Sequence, residues 1–375
     1  MPDGVRVGLF LGAIFAAGAI TTAYLPLWFA DRGLSASEIG LVLGLGSLLR
    51  VAAVPGWGWL ADRVGRRRLV LFAAAALAAG TAALLPAARG FWPILLLAGV
   101  QGVAASAQVP LTDSLTLALA AARRLDYGRT RAYGSVAFML ASAAGGALLG
   151  QAGSAAVPWI IAGCFAAAAL WAVALPRVAT PATGRVGAGP LHDGAFRAAL
   201  LATALIQGAH AAYYGFATLH WRSAGLSEAT IGLLIAEGIV AEIVLFVWGR
   251  TLVERLGPAR LTALAAAASL LRWTATAFVT DVPVLAALQL LHALTFACQH
   301  LSTMLVLRSM PPGRAGMAQS LMSALGFSAP TGVLIWVSGQ LYGTAGGLTF
   351  LLMAALGGAG LLVVPGLRRA LPARA

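Results

Sequence analysis

Apolar runs of roughly 20 residues recur along the whole chain, and each is long enough to cross a bilayer as a helix. They lie at about 7–29, 39–61, 69–88, 92–120, 131–152, 156–176, 197–220, 229–253, 260–280, 283–307, 316–341 and 345–367. The hydrocarbon core offers no water to backbone N–H and C=O groups, so each run must satisfy them internally, as a helix does. The pattern predicts an all-α integral membrane protein with twelve spans and little chain left for a soluble domain. Charged residues make up only 10% of the chain, against about 25% in a soluble domain. The first run is too long for the apolar part of a signal peptide and is read as span 1.

A formal charge of +13 would suggest nucleic acid in a soluble chain. Its distribution points elsewhere. There is no Lys, and of the 25 Arg only Arg32, Arg89 and Arg222 lie in odd-numbered connections, with Arg50 and Arg272 inside spans. The rest lie at the termini and in even-numbered connections. Positive charge is retained on the cytoplasmic side, which predicts cytoplasmic termini. An Arg-, Ala- and Gly-rich chain without Lys suggests a GC-rich bacterial genome, and hence the bacterial inner (cytoplasmic) membrane. Cys164 and Cys298 fall in separate spans, and the five His (192, 210, 220, 292, 300) are dispersed without a short metal motif. No metal, cofactor or nucleic-acid partner is expected, and no enzymatic activity.

The chain also repeats itself. Leu252-Val-Glu-Arg-Leu-Gly-Pro-Ala-Arg-Leu261 matches Leu60–Leu69 at five of ten positions, with Glu254 in place of Asp62. The same offset carries Gly33-Leu-Ser…Ile39-Gly-Leu onto Gly225-Leu-Ser…Ile231-Gly-Leu. Two blocks sharing one offset indicate two copies of a six-span unit. The expected divisions are an N-terminal bundle at 1–176, a cytoplasmic linker at 177–196 and a C-terminal bundle at 197–375. The linker's Pro, Thr, Gly and Arg among small residues suggest flexibility.

Between spans 2 and 3, Gly58-x-x-x-Asp62-Arg63-x-Gly65-x-Arg67-Arg68 resembles the corresponding loop of the major facilitator superfamily at every spaced position. The resemblance implies a 6+6 transporter fold working by alternating access. It makes Gly58, Asp62, Arg63, Gly65, Arg67 and Arg68, with Glu254, Arg255 and Gly257 of the repeat, candidate gating residues. Gly65 permits the tight reversal. Asp62 can bridge to a basic group or cap a helix end.

Polar residues inside the spans are the remaining candidates, since a charge at bilayer depth costs about 2.5–3.5 kcal/mol on insertion scales and must face a partner or a wet cavity. Tyr24, with Pro26 and Trp28 at the outer end of span 1, suits either an interfacial anchor or a binding role. Ser35 or Ser37 is positioned to cap span 2. Arg50 sits mid-span, and the repeat maps it onto Glu242 in span 8, so the two copies carry opposite charges at equivalent positions. Span 4 is interrupted by Pro110 and carries Gln108 and Asp113. Asp113 and Arg131 lie symmetrically about residue 122, hence at similar depth on neighbouring helices. They can form a structural pair or share a polar substrate. Gln207, His210 and Tyr214 fall at i, i+3 and i+7 on one face of span 7, with Tyr213 about 60° off that stripe. A hydrogen-bonded packing seam is the alternative to a binding face there.

Spans 7–10 carry Leu205-Ile-Gln-Gly-Ala-His-Ala-Ala-Tyr-Tyr-Gly-Phe216, Gly238-Ile-Val-Ala-Glu242, Leu271-Arg-Trp273 and Gln289-Leu-Leu-His-Ala-Leu-Thr-Phe296 with His300. Together with Asp126-Tyr-Gly-x-x-Arg131-x-x-Gly-Ser-Val-Ala-Phe138, this order and spacing resemble the phenylpropionate permease family, close to the lactose-permease type of proton symporter. The resemblance implies substrate contacts from Asp113, Arg131 and the stacking ring of Phe138. It also implies a proton path through Arg272 and His292. Where the lactose-permease type has a glutamate one turn after that histidine, this chain has Thr295. The proton carrier is therefore expected at Glu242, with Glu237, His210 and His300 as further candidates.

The resulting expectation is a monomeric secondary transporter for a small aromatic carboxylate such as 3-phenylpropionate, taken up with protons. The substrate site is expected to draw on Tyr24, Arg50, Gln108, Asp113, Arg131 and Phe138 with Gln207, His210, Tyr213 and Tyr214. A sugar or nucleoside symporter and a drug exporter remain the alternatives.

Overall fold

The computed structural model describes residues 1–176 and 189–371, all of whose regular elements are helical. Most of the linker expected at 177–196, including the stretch read as flexible, lies outside the described residues. In chain order the helices are α1 (Asp3–Asp31), α2 (Ala36–Val64), α3 (Arg67–Leu84), α4 (Phe91–Ser106), α5 (Gln108–Ala121), α6 (Tyr127–Ala152) and α7 (Val157–Val173). There follow α8 (Gly194–Gly208), α9 (Ala211–Ser223), α10 (Glu228–Trp248), α11 (Arg250–Thr276), α12 (Val282–Leu290) and α13 (Gln299–Arg308). Last come α14 (Pro312–Leu321), α15 (Ala329–Ala345) and α16 (Thr349–Ala370). Spans 4, 7, 10 and 11 each consist of two pieces, α4–α5, α8–α9, α12–α13 and α14–α15. The last two pairs are joined by π-helical turns at Ala293–Cys298 and Met322–Ser328.

Nine helical stretches among the described residues meet a plain length-and-hydropathy criterion for crossing a membrane. The difference from twelve has local causes. Spans 11 and 12 run together in one stretch, Gly316–Ala370. Span 7 is broken at Ala209–His210 into pieces of 15 and 13 residues. Span 9 falls in α11, which opens with Arg250, Glu254, Arg255 and Arg260, and these dilute its apolar character.

Two compact units are distinguished by their internal packing, Met1–Ala182 with Trp221–Ala236, and Thr183–His220 with Glu237–Ala375. In the first, α1 packs lengthwise on α6 and α7, and α3 packs on α7. Small residues set the spacing, as they must where helices gain nothing from excluding lipid and associate by close contact. A Cβ on Gly8 would stand 2.8 Å from the Tyr133 ring, and one on Gly145 would run into the Ile20 side chain. The start of α10 joins this unit: a Cβ on Gly232 would lie 2.5 Å from the Ser142 carbonyl oxygen, and one on Gly146 would run into that of Glu228. In the second unit α11 packs along α16, and α16 along α8. Gly357 there admits Ser269, and Gly360 admits Ile206.

The repeat is visible in the backbone. Gly33 and Gly225 take φ of 82° and 91°, and Gly65 and Gly257 take 64° and 69°. Ser35 caps α2, its hydroxyl accepting from the Glu38 amide while Glu38 returns to the Ser35 amide. Ser227 accepts from the Thr230 amide at the equivalent place before α10. Leu96, Leu170 and Leu362 stand exposed on the outer helix faces. This is the distribution expected of helices solvated by lipid.

Candidate functional site

The first unit holds one group of candidates. Span 4 breaks at Ala107, and the carbonyl of Val103 just before the break accepts from the Trp57 indole at 2.8 Å and from the Ser106 hydroxyl at 2.6 Å. Immediately beyond it, Gln108 is 1% exposed, and neither its amide nitrogen nor its oxygen has a hydrogen-bond partner. An unmatched buried polar group of this kind costs about 1–3 kcal/mol.

Asp113 and Arg131 do meet, with Nε 3.6 Å from Oδ1. That is ion-pair range but beyond a hydrogen bond, and Asp113 Oδ1 is left without a donor. The Arg131 guanidinium lies 4.3 Å from the centroid of the Phe15 ring, a cation–π contact permitted by the bare Gly134 nearby. Phe138 is half-buried two turns along α6.

Arg50 is different in kind. Among the described residues it makes no hydrogen bond, ion pair or ring contact, and its side chain is exposed. It shares a helix face with Trp57 to within about 20°, and Trp57 is the residue bonded to α4. Tyr24 stands apart from these groups. It is fully buried, donates to the Ser142 carbonyl at 2.6 Å, and packs where Gly145, Gly146 and Gly232 converge.

A second, more densely bonded group lies in the other unit. Arg272 is wholly buried. Its Nη1 donates to His292 Nδ1 at 3.1 Å and to the Thr295 hydroxyl at 3.0 Å, and its Nη2 donates to Gln289 Oε1 at 2.9 Å. Guanidinium is a donor only, so His292 Nδ1 accepts and the ring proton sits on Nε2. Nε2 in turn lies 3.3 Å from Glu242 Oε2. The histidine is thereby fixed as a neutral bridge that donates to the carboxylate.

The same logic orients the other branch. His210 Nδ1 faces the Ile206 carbonyl at 3.1 Å and must donate to it, so His210 Nε2 accepts from Thr295 Oγ1 at 3.1 Å. Thr295 therefore accepts from Arg272 and donates to His210. Tyr213 donates to Gln289 Oε1 at 3.1 Å, and Arg272 lies 5.0 Å from the centroid of its ring.

Rings frame this chain. His210 stacks on Tyr214, His292 on Phe296, and Phe296 on His300. Gln207 donates to the Phe296 carbonyl at 3.0 Å, within the π-helical turn. π-Turns inside α-helices often mark functional sites, and this one rotates Thr295 and Phe296 out of regular register. His300 lines a cavity of about 650 Å³ with Glu254, Arg308 and the apolar side chains of Leu245, Phe246 and Met304. Glu237 is half-buried and makes no hydrogen bond or ion pair among the described residues.

The structure thus brings Glu242, His292, Arg272, His210 and Tyr213 into one bonded network, and Asp113 with Arg131 into a pair. It adds Gln289 and Thr295, polar residues one turn before and after His292 in an apolar span. Tyr213, expected off the polar stripe, is on it. The break at Ala209–His210, where the His210 amide bonds back to Gln207 rather than a full turn, shifts the register between α8 and α9.

At the loops, Gly65 ends α2 in the left-handed conformation. Arg67 bonds Asp62 at 3.1 Å and also reaches Ser114 on α5. Arg63 lies over the Trp59 ring. At the opposite end of the first unit, Arg222 holds Asp31 bidentately at 2.7 and 3.0 Å.

The chain is 29% identical to a probable 3-phenylpropionic acid transporter of Escherichia coli (strain K12), over 91% of each chain. It is 31% identical to a maltose permease of Geobacillus stearothermophilus, over 72% of this chain and 70% of that one. Among solved structures, the nucleoside transporter NupG superposes with a TM-score of 0.81 over 99% of both chains at 16% identity, a likeness of fold. These relatives are transporters rather than enzymes, and the superposition on NupG extends over the whole fold. A profile of the MFS_1 like family matches residues 6–352, nearly the whole chain: the protein belongs to that family and is a multi-pass membrane transporter of the major facilitator type.

Proposed function

We propose that this protein is a proton-coupled importer of a small aromatic carboxylate, working by alternating access in a bacterial inner membrane with both termini in the cytoplasm. The observation that carries the reading is the Glu242–His292–Arg272 chain set among stacked rings. A carboxylate held by a neutral imidazole donor, with a guanidinium behind it, can exchange a proton while its position stays fixed. Aromatic surroundings suit a phenyl-bearing substrate. The end-to-end likeness to a probable 3-phenylpropionic acid transporter supports 3-phenylpropionate as the first compound to try.

In this reading Glu242 carries the proton, and Arg272 and His292 position it. Gln108, Asp113, Arg131 and Phe138 supply polar and stacking contacts, as do Gln207, His210, Tyr213 and Tyr214. The loops around Asp62 and Glu254 gate access, the bundles being 1–176 and 197–375, and the monomer is the working unit. The test is uptake of labelled 3-phenylpropionate into proteoliposomes with and without an inward proton gradient. Accumulation that follows the gradient and collapses with an uncoupler is the expected result; gradient-independent equilibration would sink the coupling.

One observation favours a second reading. The unmatched Asp113 Oδ1 seeks a donor, as a sugar hydroxyl would provide, and a maltose permease is among the relatives. Gradient-driven accumulation of a sugar in the same vesicles, with no movement of 3-phenylpropionate, would establish it instead.

A further inference from the structure

Three arginines belong to the candidate groups, and they are not equivalent. Arg272 is sealed inside the second unit, its guanidinium bonded to His292, Thr295 and Gln289. Arg131 is matched by Asp113 and covered on one face by Phe15, so the pair presents no net charge. Its open valence is an acceptor, Asp113 Oδ1, which repels an anion. Arg50 alone of the three has no counter-charge or acceptor among the described residues, yet it is exposed. It shares its helix face with Trp57, which is bonded to α4, and a Cβ on Gly102 of α4 would meet Gly46, one turn before Arg50, so this side of α2 packs toward a neighbouring helix. A full positive charge that is reachable, set beside a packed helix face and unmatched among the described residues is what an anion site looks like before the anion arrives. A structural cation would have been given a partner, because an unmatched charge at this depth is costly.

We propose that Arg50 is the residue that recognises the substrate's carboxylate, and that the Asp113–Arg131 pair instead orients uncharged polar parts of the ligand. This rests on the reading of the protein as a carrier of small organic anions and assigns the charge selectivity within it. The planar fork of Arg50 matches a carboxylate through two parallel N–H bonds, which a lysine does not reproduce. Discrimination between an acid and its neutral isostere is then set at position 50.

The test compares 3-phenylpropionate with 3-phenylpropionamide, of nearly the same shape but uncharged, as thermal stabilisers of the detergent-purified protein across a concentration series. Wild type is expected to prefer the acid. Arg50→Gln weakens the acid about ten- to a hundred-fold, the loss of one charge-assisted contact, and leaves the amide within about threefold. Arg131→Gln retains the preference for the acid. Persistence of the full preference in Arg50→Gln, or its loss in Arg131→Gln instead, overturns the assignment while leaving the anion-carrier reading intact. A wild type that does not distinguish acid from amide overturns that reading, and the assignment with it. Removing a charge from an apolar span lowers the cost of insertion, so Arg50→Gln is expected to fold. Should it not purify, Arg50→Lys decides: a weaker acid with an unchanged amide supports the assignment, and an unchanged acid overturns it.

Discussion

Glu242 receives the Nε2 proton of His292, and that histidine cannot itself take a second proton on Nδ1 without facing the donors of Arg272. The carboxylate is therefore the group in this network able to gain and lose charge without breaking the arrangement. Glu242→Gln keeps the shape and an acceptor oxygen but cannot ionise. Gradient-driven accumulation should fall at least about tenfold, while exchange of labelled for unlabelled substrate across the vesicle wall continues. Loss of both would indicate a structural role. Thr295 makes a complementary case. Thr295→Val keeps the volume but strands a donor of Arg272 and the acceptor of His210, at about 1–3 kcal/mol. The expected result is a lower midpoint of thermal unfolding with the fold retained. Much of this network was legible as residue types: Arg272, His292 and Glu242 are charges or imidazoles where the bilayer penalises them. Gln289 and Thr295 were not legible as members. An uncharged polar residue in a span is cheap enough to occur without a role, so only the geometry reveals its partners.

At the level of single helices, the sequence declares starts and stops better than interruptions. Ser35 with Glu38 announces the start of α2, and Gly65 announces its end, because each supplies a bond or a backbone conformation that few other residues can. The break after Gly208 and the π-turn at Ala293–Cys298 carry no such signature. Each is imposed by packing, and each re-aims side chains that a regular 3.6-residue period would place elsewhere. Glycines within the helices divide along the same line. Gly146 touches the backbone of α10, whereas a Cβ on Gly150, one turn later, would meet nothing within 4 Å. Gly146→Ala should force α6 and α10 apart and cost about 1–3 kcal/mol. Gly150→Ala should be neutral or stabilising by up to about 1 kcal/mol from helix propensity. Thermal unfolding of the two variants in one detergent separates them, and equal shifts would mean that the close approach at Gly146 is not a determinant of packing.

For the molecule as a whole, the apolar runs and the repeat were enough to name the architecture, because a bilayer admits few alternatives to a helix bundle. They were also sufficient to see past the broken span 7 and the charged start of span 9, where hydropathy alone falls short. Orientation is the part that rests on charge. Arg66, Arg67 and Arg68 at the start of α3, and Arg123 and Arg124 before α6, concentrate where the positive-inside tendency assigns the chain to the cytoplasm, opposite the Asp31–Glu38 turn. Cys164 is half-buried and Cys298 is buried, so replacing both by Ala leaves a background for single-cysteine labelling. Ser37→Cys, in the first turn of α2, should then react in intact cells with a thiol reagent that does not cross membranes. Arg123→Cys, at the sharp reversal between α5 and α6, should react only after the membrane is opened. Arg123 holds a positive φ of 55°, which few side chains adopt without strain, so a labelled Arg124→Cys serves as the control for that position. The opposite pattern, with the arginine-rich turns accessible from outside, would invert the topology. It would place the Asp62–Arg67 loop on the outer face and turn the expected direction of proton entry around with it.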